Sequence, residues 1–480
     1  MKKQLDSIEF DLSSQERREL WEQLANELES FYAKTESLAV SQPVDTSTVR
    51  AFLDSVSMDG SLAPRDAIQH AIAGLSQFAV HTPHPKYFGL FNPRPNFPSI
   101  LADAITATLN PQLAAWSHSP FAAEVETRLI QELCSRFGYA NDAAQGTFTT
   151  GGTEANLTAV LCALNDRFEK FSTDGLAGMD RKPVIYCSTE AHHSIHRAAR
   201  TVGLGSQAVR EIATDDSLRM DVQTLEATIS RDLQDGFTPL MIVGTAGTTG
   251  TGAIDPLPKI AAMCRRFGAW FHVDAAYGGG AALSDKLKTH IEGIEESDSI
   301  TFDAHKWMSV PMATSVFLTS KRDILAQTFR ISTEYMPSDA DELGVDDPYS
   351  HSIQWSRRFI GLKVYLSLLC FGWKGYEQVV ERQSAIAMYL KQQLQSENWH
   401  IRNDSPLPIV CFSHPSIDAP NALEELLQAA YKENVGWIST YSIRGTACFR
   451  ACITNYGTDE THIDEFVRQM SALRDRVGIH

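Results

Sequence analysis

Residues 270–276, WFHVDAA, and 299–305, SITFDAH, decide how the chain is read. Each is a short apolar run, rich in β-branched and aromatic residues, that ends on an aspartate: Asp274 in one, Asp303 in the other. Runs of this length and composition predict buried strands. Two more lie upstream, KPVIYC at 182–187 and PLMIVG at 239–244, and helical patterns such as LPKIAAMCRRFG at 257–268 fall between them. Strand, helix, strand at these intervals predicts an α/β fold whose mostly parallel sheet is covered on both faces.

In such a sheet ligands bind beyond the carboxyl ends of the strands, so the residues that follow each strand matter most. After KPVIYC comes STEAHHS, with His192 and His193; after PLMIVG comes the Gly/Thr loop TAGTTGTG, with Thr248. The strand at 270 runs into Asp274, and the strand at 299 runs into Asp303, His305 and Lys306. Histidines, aspartates, a lysine and a flexible loop are thereby predicted to share one rim. In TFTTGGTEANLTAVLCAL, Gly151, Gly152 and Thr153 precede a helical run. Backbone N–H groups at a helix start cradle a phosphate. The stretch is neither a Walker loop nor a dinucleotide fingerprint, since both spacings are absent.

Lys306, at a strand end and partly desolvated, can form a Schiff base with an aldehyde cofactor. Asp274, one strand away, can keep a pyridinium nitrogen protonated and make the ring an electron sink. His192 can lie against the ring's other face.

Composition narrows the rest. The 480 residues include 42 Lys plus Arg against 59 Asp plus Glu, a net charge of −17, which argues against a nucleic-acid partner. No apolar run reaches the roughly 20 residues that cross a bilayer, so no membrane partner is expected. The start, MKKQLDSIEFDL, lacks the apolar core of a secretory signal. Eight cysteines without CxxC pairs predict neither a zinc site nor a disulfide framework. A reduced, cytoplasmic protein without bound metal is the expectation.

At the beginning of the chain, Ser13 and Glu16 form a capping-box pattern ahead of an apolar stripe from Leu20 to Tyr32. A polar stretch, SQPVDTSTVR at 41–50, reads as a linker, and a second stripe runs through Ile68, Ile72, Leu75 and Phe78. Two isolated stripes need another surface, such as a partner subunit, and the helices are expected to swap onto it. The expected division is a helical dimerisation segment at 1–95, a large α/β domain at 96–370 and a small α+β domain at 371–480.

The motifs TTGGTEANL, STEAHHSIHRA, GTAGTT, HVDAAYGG and DAHKW, in this order, resemble the group II pyridoxal-phosphate-dependent amino acid decarboxylases. That resemblance implies pyridoxal 5'-phosphate as cofactor and the aspartate-aminotransferase type of fold, a homodimer with sites at the interface. It implies that Lys306 bonds the cofactor, that Asp274 partners its ring nitrogen, and that Ala276 and His192 flank the ring. Gly151, Gly152, Thr153 and His305 would surround the phosphate, with Thr248 close by and Asp303 in its surroundings. The segment RISTEYMPSDADELGVDDPY resembles the family's mobile catalytic loop, with Tyr335 placed to return a proton after CO2 leaves. The pocket-lining stretch would supply Leu90, Phe91, Asn92, Pro93 and Arg94, with Ala114 across the interface.

The implied activity is decarboxylation of an L-amino acid to a primary amine, an aromatic substrate being one reading. Decarboxylation of glutamate, aspartate or 2,4-diaminobutyrate, with Arg94 pairing a distal carboxylate, stays open, as does an oxidative aldehyde synthase of the same fold. A non-enzymatic binding homologue would need Lys306, Asp274, His192 and Tyr335 to have lost their roles.

Overall fold

The computed structural model describes residues 10–139, 144–331, 343–417 and 421–477. Among these, seven strands build the large sheet: β1 (Gln145–Thr149), β2 (Lys182–Ser188), β3 (Val209–Ile212), β4 (Phe237–Thr245), β5 (Trp270–Asp274), β6 (Ser299–Phe302) and β7 (Ser315–Thr319). Their order is β1-β7-β6-β5-β4-β2-β3. Strand β7 runs antiparallel to both of its neighbours, β1 and β6, so β1 points the same way as β6. The pairs β6–β5, β5–β4, β4–β2 and β2–β3 are parallel. The carboxyl ends of six strands therefore open on one rim. Register fixes what meets there: Asp274 stands beside Thr245 on one side and Thr301 on the other.

Burial explains why these runs are strands. Every residue of β5, β6 and β7 is buried, as expected for a sheet with helices on both faces. The helix Gly152–Arg167 offers Ala155, Ala159, Cys162 and Ala163 to a core containing Ile185, Met241, Val243 and Phe317. Small side chains bring its axis close to the sheet and draw its first turn onto the rim. Close approach also accounts for YGGG at 277–280: a Cβ on Gly280 would lie 2.3 Å from the indole of Trp307. Trp307 is fully buried, so the residue after Lys306 anchors the short helix Ala304–Trp307 in the core.

A smaller antiparallel sheet, order β10-β11-β9-β8, comprises β8 (His400–Ile401), β9 (Ile409–Ser413), β10 (Ser439–Ile443) and β11 (Thr446–Cys452). The helix Leu362–Ser396 passes from the large sheet to the small one and breaks at Gly372, whose φ is +62°. The kink lies two residues beyond the border expected at residue 370.

At the beginning of the described chain the capping box is complete. Ser13 Oγ accepts from Glu16 N–H at 3.2 Å, and Glu16 Oε2 accepts from Ser13 N–H at 2.7 Å. The stretch expected as a linker contains a helix, Thr46–Asp54, which Asp45 caps by accepting from Ser47 and Thr48 N–H. None of the helices Ser14–Lys34, Thr46–Asp54 and Pro64–Phe78 fully buries a residue within one chain. Among the described residues no helix is long and apolar enough to cross a membrane.

Candidate active site

Asp303, His305 and Lys306 come together because β6 ends in a single helical turn. Lys306 Nζ lies 3.0 Å from Asp303 Oδ2, and Lys306 keeps about a fifth of its side chain exposed to the rim. Ser315 Oγ donates to Asp303 Oδ1 at 2.5 Å. His305 Nε2 is 3.7 Å from Asp303, while its Nδ1 faces the Thr314 carbonyl at 2.9 Å. Burial lowers the pKa of His305, partly opposed by Asp303. Gly152 closes this corner: a Cβ there would sit 3.0 Å from Asp303 Oδ2. Among the described residues no side chain caps the helix Gly152–Arg167, so its first N–H groups face the rim with the positive end of the helix dipole behind them.

Asp274 is buried. Its Oδ1 accepts from Ala276 N–H at 3.1 Å and its Oδ2 from Asn156 Nδ2 at 3.0 Å. The same Asn156 amide donates to Ser194 Oγ at 2.7 Å, and that oxygen lies 2.8 Å from His192 Nδ1. Ser194 N–H also donates to His192 Nδ1 at 3.2 Å, so the ring carries its hydrogen on Nε2. Burial lowers the pKa of His192, with Asp274 opposing and Lys306 reinforcing the shift. The imidazole is neutral at pH 7.

The remaining expected residues occupy different positions. Thr248 is fully buried, its hydroxyl 3.0 Å from Thr251 Oγ1 and accepting from Ala253 N–H at 3.1 Å, so it shapes its own loop. The Phe91 ring lies 5.3 Å from Lys306 Nζ and 4.2 Å from the Tyr277 ring, which stacks on Trp307 at 5.3 Å. Asn92 accepts from the Tyr87 hydroxyl at 2.8 Å; Leu90 is exposed and Pro93 buried. Ala114 is buried, and its carbonyl accepts from Tyr349 N–H at 3.1 Å. Arg94 is engaged elsewhere, its guanidinium 4.9 Å from the Tyr32 ring and 5.7 Å from the Tyr456 ring. Tyr335 lies outside the described residues.

Sequence reading missed two groups. Arg450 in β11 is buried, stacked 4.8 Å over Phe91, with Nε on the carbonyls of Thr249 and Gly250 and Nη1 on that of Gly89. Its Nη2 is buried without a partner among the described residues. A lone arginine inside the apolar run ACFRACIT was the available signal, because a buried guanidinium requires organised acceptors. Asn156, inside TEANL, is the second: its amide lies between Asp274 and Ser194, and the sequence carries no local signal of that.

The pyridoxal-dependent decarboxylase conserved domain matches residues 62–414. The chain belongs to this family. It is a pyridoxal-phosphate-dependent amino acid decarboxylase, a carboxy-lyase. An aromatic-L-amino-acid decarboxylase of Bacillus atrophaeus is 29% identical over 98% of both chains. The acidic amino acid decarboxylase GADL1 of Mus musculus is 31% identical over 70% of this chain and 61% of its own. An L-2,4-diaminobutyrate decarboxylase of Acinetobacter baumannii is 34% identical over 59% of this chain and 58% of its own. The fold is that of Oryza sativa TDC, solved with PLP and tryptamine (TM-score 0.90, 22% identity, 96% of this chain and 98% of that one). Mouse CSAD shares it, with a TM-score of 0.89 at 23% identity over 96% of this chain and 99% of that one. The residues of this decarboxylase fit the cofactor by their chemistry: a reachable amine on Lys306, a buried carboxylate on Asp274 and uncapped N–H groups at Gly151–Thr153.

Proposed function

We propose that this decarboxylase acts on an L-amino acid with an aromatic side chain and releases the primary amine. The observation that carries this reading is the aromatic wall Phe91–Tyr277–Trp307, whose first ring faces Lys306 Nζ. The placement of Arg94 between two tyrosines supports it, since the cation of the pocket-lining stretch is taken up elsewhere. So does the full-length similarity to an aromatic decarboxylase.

Bound pyridoxal phosphate supplies an electron sink for the bond to the departing carboxylate. Lys306 would hold the cofactor at its aldehyde carbon through its Nζ amine. Asp274, an acceptor only, holds a proton at the ring nitrogen. His192, neutral, and Ala276 would flank the cofactor's ring. Gly151, Gly152 and Thr153 bind the phosphate through backbone N–H, with His305 beside them. The wall of Phe91, Tyr277 and Trp307 excludes water, which strengthens each of these electrostatic contacts. Tyr335 returns the proton to the substrate carbon, and Tyr335→Phe is expected to lower amine yield about a hundredfold and give aldehyde with oxygen uptake.

The working protein is a cytoplasmic homodimer. Phe97, Leu101, Ile105 and Leu109 are exposed at four-residue spacing on the helix Phe97–Leu109, a stripe suited to a second copy. The segment 1–95 adds its helices to that contact, the residues 96–370 hold the cofactor, and 371–480 close the site. Leu101→Glu with Ile105→Glu is expected to give monomer in sedimentation; an unchanged dimer would remove the stripe from the interface.

Incubation of the purified holoenzyme with single L-amino acids, followed by mass spectrometry, tests the substrate. Amines from tyrosine, phenylalanine or tryptophan support the aromatic reading. Products only from aspartate, glutamate or cysteine sulfinate overturn it in favour of a second reading, which rests on the unpartnered Arg450 Nη2 near Phe91 as a seat for a distal carboxylate.

A further inference from the structure

We infer that Asn156 is the positioning residue that orients the Asp274 carboxylate and the His192 imidazole together, its amide held by a buried hydrogen-bond network that reaches back through His272 and Ser299 to Trp270. This rests on the reading of Asp274 as partner of the cofactor's ring nitrogen.

Asn156 is buried, and all its hydrogen-bonding capacity is used. Its Oδ1 accepts from His272 Nε2 at 2.9 Å and from Thr301 Oγ1 at 2.7 Å. Its Nδ2 donates to Asp274 Oδ2 at 3.0 Å and to Ser194 Oγ at 2.7 Å. An amide can be turned over at almost no steric expense, so something must decide which end faces Asp274.

The Asp274 end of the network decides it, and the Trp270 end is compatible with that decision. At one end the Trp270 indole, which can only donate, gives its hydrogen to Ser299 Oγ at 2.7 Å. The Ser299 hydroxyl lies 2.8 Å from His272 Nδ1 and is free to donate to it, the arrangement in which the histidine's hydrogen sits on Nε2, pointed at Asn156 Oδ1. At the other end the ionised Asp274 can only accept, which calls for the NH2 of Asn156. Both ends are consistent with one amide orientation. Complete burial holds the pKa of His272 down to about 4, so the ring stays neutral near pH 7.

The amide's second hydrogen reaches the other side of the site. Ser194 accepts it and turns its own hydrogen to His192 Nδ1, in the geometry that leaves Nε2 protonated. One side chain on the helix Gly152–Arg167 thus ties together a group read as lying in the ring plane and one read as lying on its face. The helix that forms the phosphate cradle supplies it, four residues after Gly152.

The test uses holoenzyme reconstituted with pyridoxal phosphate labelled with 15N in the ring. Its two readouts are the cofactor dissociation constant and the ring-nitrogen chemical shift, which reports the proton at that atom. Asn156→Leu is expected to weaken cofactor binding about tenfold or more and to move the shift in the direction given by Asp274→Asn. Asn156→Asp sets two carboxylates against each other and is expected to weaken binding further. Thr301→Val, which removes one donor to Oδ1 and keeps the shape, should shift both readouts less and in the same direction; it replaces Asn156→Leu if that variant does not fold. If Asp274→Asn changes both readouts while Asn156→Leu and Thr301→Val match the parent protein, the positioning role is overturned. If Asp274→Asn itself changes neither, the reading of Asp274 fails, and the inference falls with it.

Discussion

Lys306 Nζ lies 3.0 Å from Asp303 Oδ2, three residues earlier on the same helical turn, and the carboxylate's other oxygen takes the Ser315 hydroxyl. The lysine is therefore aimed by a buried anion before any cofactor reaches it. Asp303→Ala would leave the ammonium without its anchor and Ser315 Oγ without its acceptor. The expected result is a loss of about 1–3 kcal/mol of stability and at least a tenfold lower yield of cofactor trapped on Lys306 by borohydride. An unchanged yield would show that Asp303 does not aim the lysine.

Gly152 also meets Asp303: a Cβ there would lie 3.0 and 3.1 Å from its two carboxylate oxygens. Gly152→Val pushes the first helical turn away from Asp303 and fills the space where backbone N–H groups face the rim. Cofactor affinity is expected to drop about a hundredfold, with a melting temperature close to the parent's. Equal affinity in an absorbance titration would remove Gly152 from the phosphate cradle.

His84 supplies a pH dependence. It is buried, its Nδ1 accepts from Lys86 N–H at 2.9 Å, and burial, aided by the Lys86 charge, pushes its pKa down to about 4. Above pH 6.5 the ring is neutral both folded and unfolded and contributes nothing. As pH falls from 6.5 to about 4, the unfolded chain takes up a proton that the folded chain refuses, so stability is lost across that window. His84→Asn keeps an acceptor for Lys86 N–H and removes the titration. The parent's melting temperature is expected to fall about 2 °C more than the variant's between pH 7 and pH 4.5. Parallel curves would contradict this.

Glu126 and Arg357 form a buried ion pair, 2.6 Å between Oε2 and Nη2, and Glu126 Oε1 also accepts from Gly361 N–H at 2.9 Å. Arg357→Met leaves the carboxylate buried without its counter-charge, for an expected loss of about 3–5 kcal/mol in urea unfolding. Adding Glu126→Gln should restore part of that loss, because the neutral amide still accepts from Gly361. A single variant as stable as the parent would show that water reaches the pair.

The rim was readable in the sequence because each strand announces itself locally. WFHVDAA and SITFDAH end on the aspartates that the sheet then places at strand ends, and STEAHHS and TAGTTGTG follow their strands in the same way. Ser13 and Glu16 satisfy each other within four residues, so their pattern needed no tertiary knowledge. Four features escaped for the opposite reason. The insertion of β7 between β1 and β6 pairs residues about 170 positions apart, and no local pattern records it. Arg94 stacks on tyrosines from both remote ends of the chain, while Arg450 reaches carbonyls 200 residues away. Asn156 looks like any polar residue near a helix start until His272, Thr301 and Asp274 converge on it.

The clasp of Arg94 between Tyr32 and Tyr456 has a consequence for biosynthesis. It is joined by the bond from Val40 N–H to Asn434 Oδ1, another contact between early and late segments. A ribosome releases the helix Ser14–Lys34 about 420 residues before the second tyrosine exists, an interval of roughly 20–85 s at ordinary elongation rates. Throughout that time the helix can rest on the nearby helix Pro64–Phe78, with Gln23 Nε2 donating to the Arg65 carbonyl at 3.1 Å. It lacks its contacts with the late segment, however, and Trp21 and Leu28 stay open to whatever else the nascent polypeptide meets. Closure of the Arg94 clasp thus waits for the late segment, and until then the exposed side chains of the helix Ser14–Lys34 are the ones most in need of a chaperone's cover.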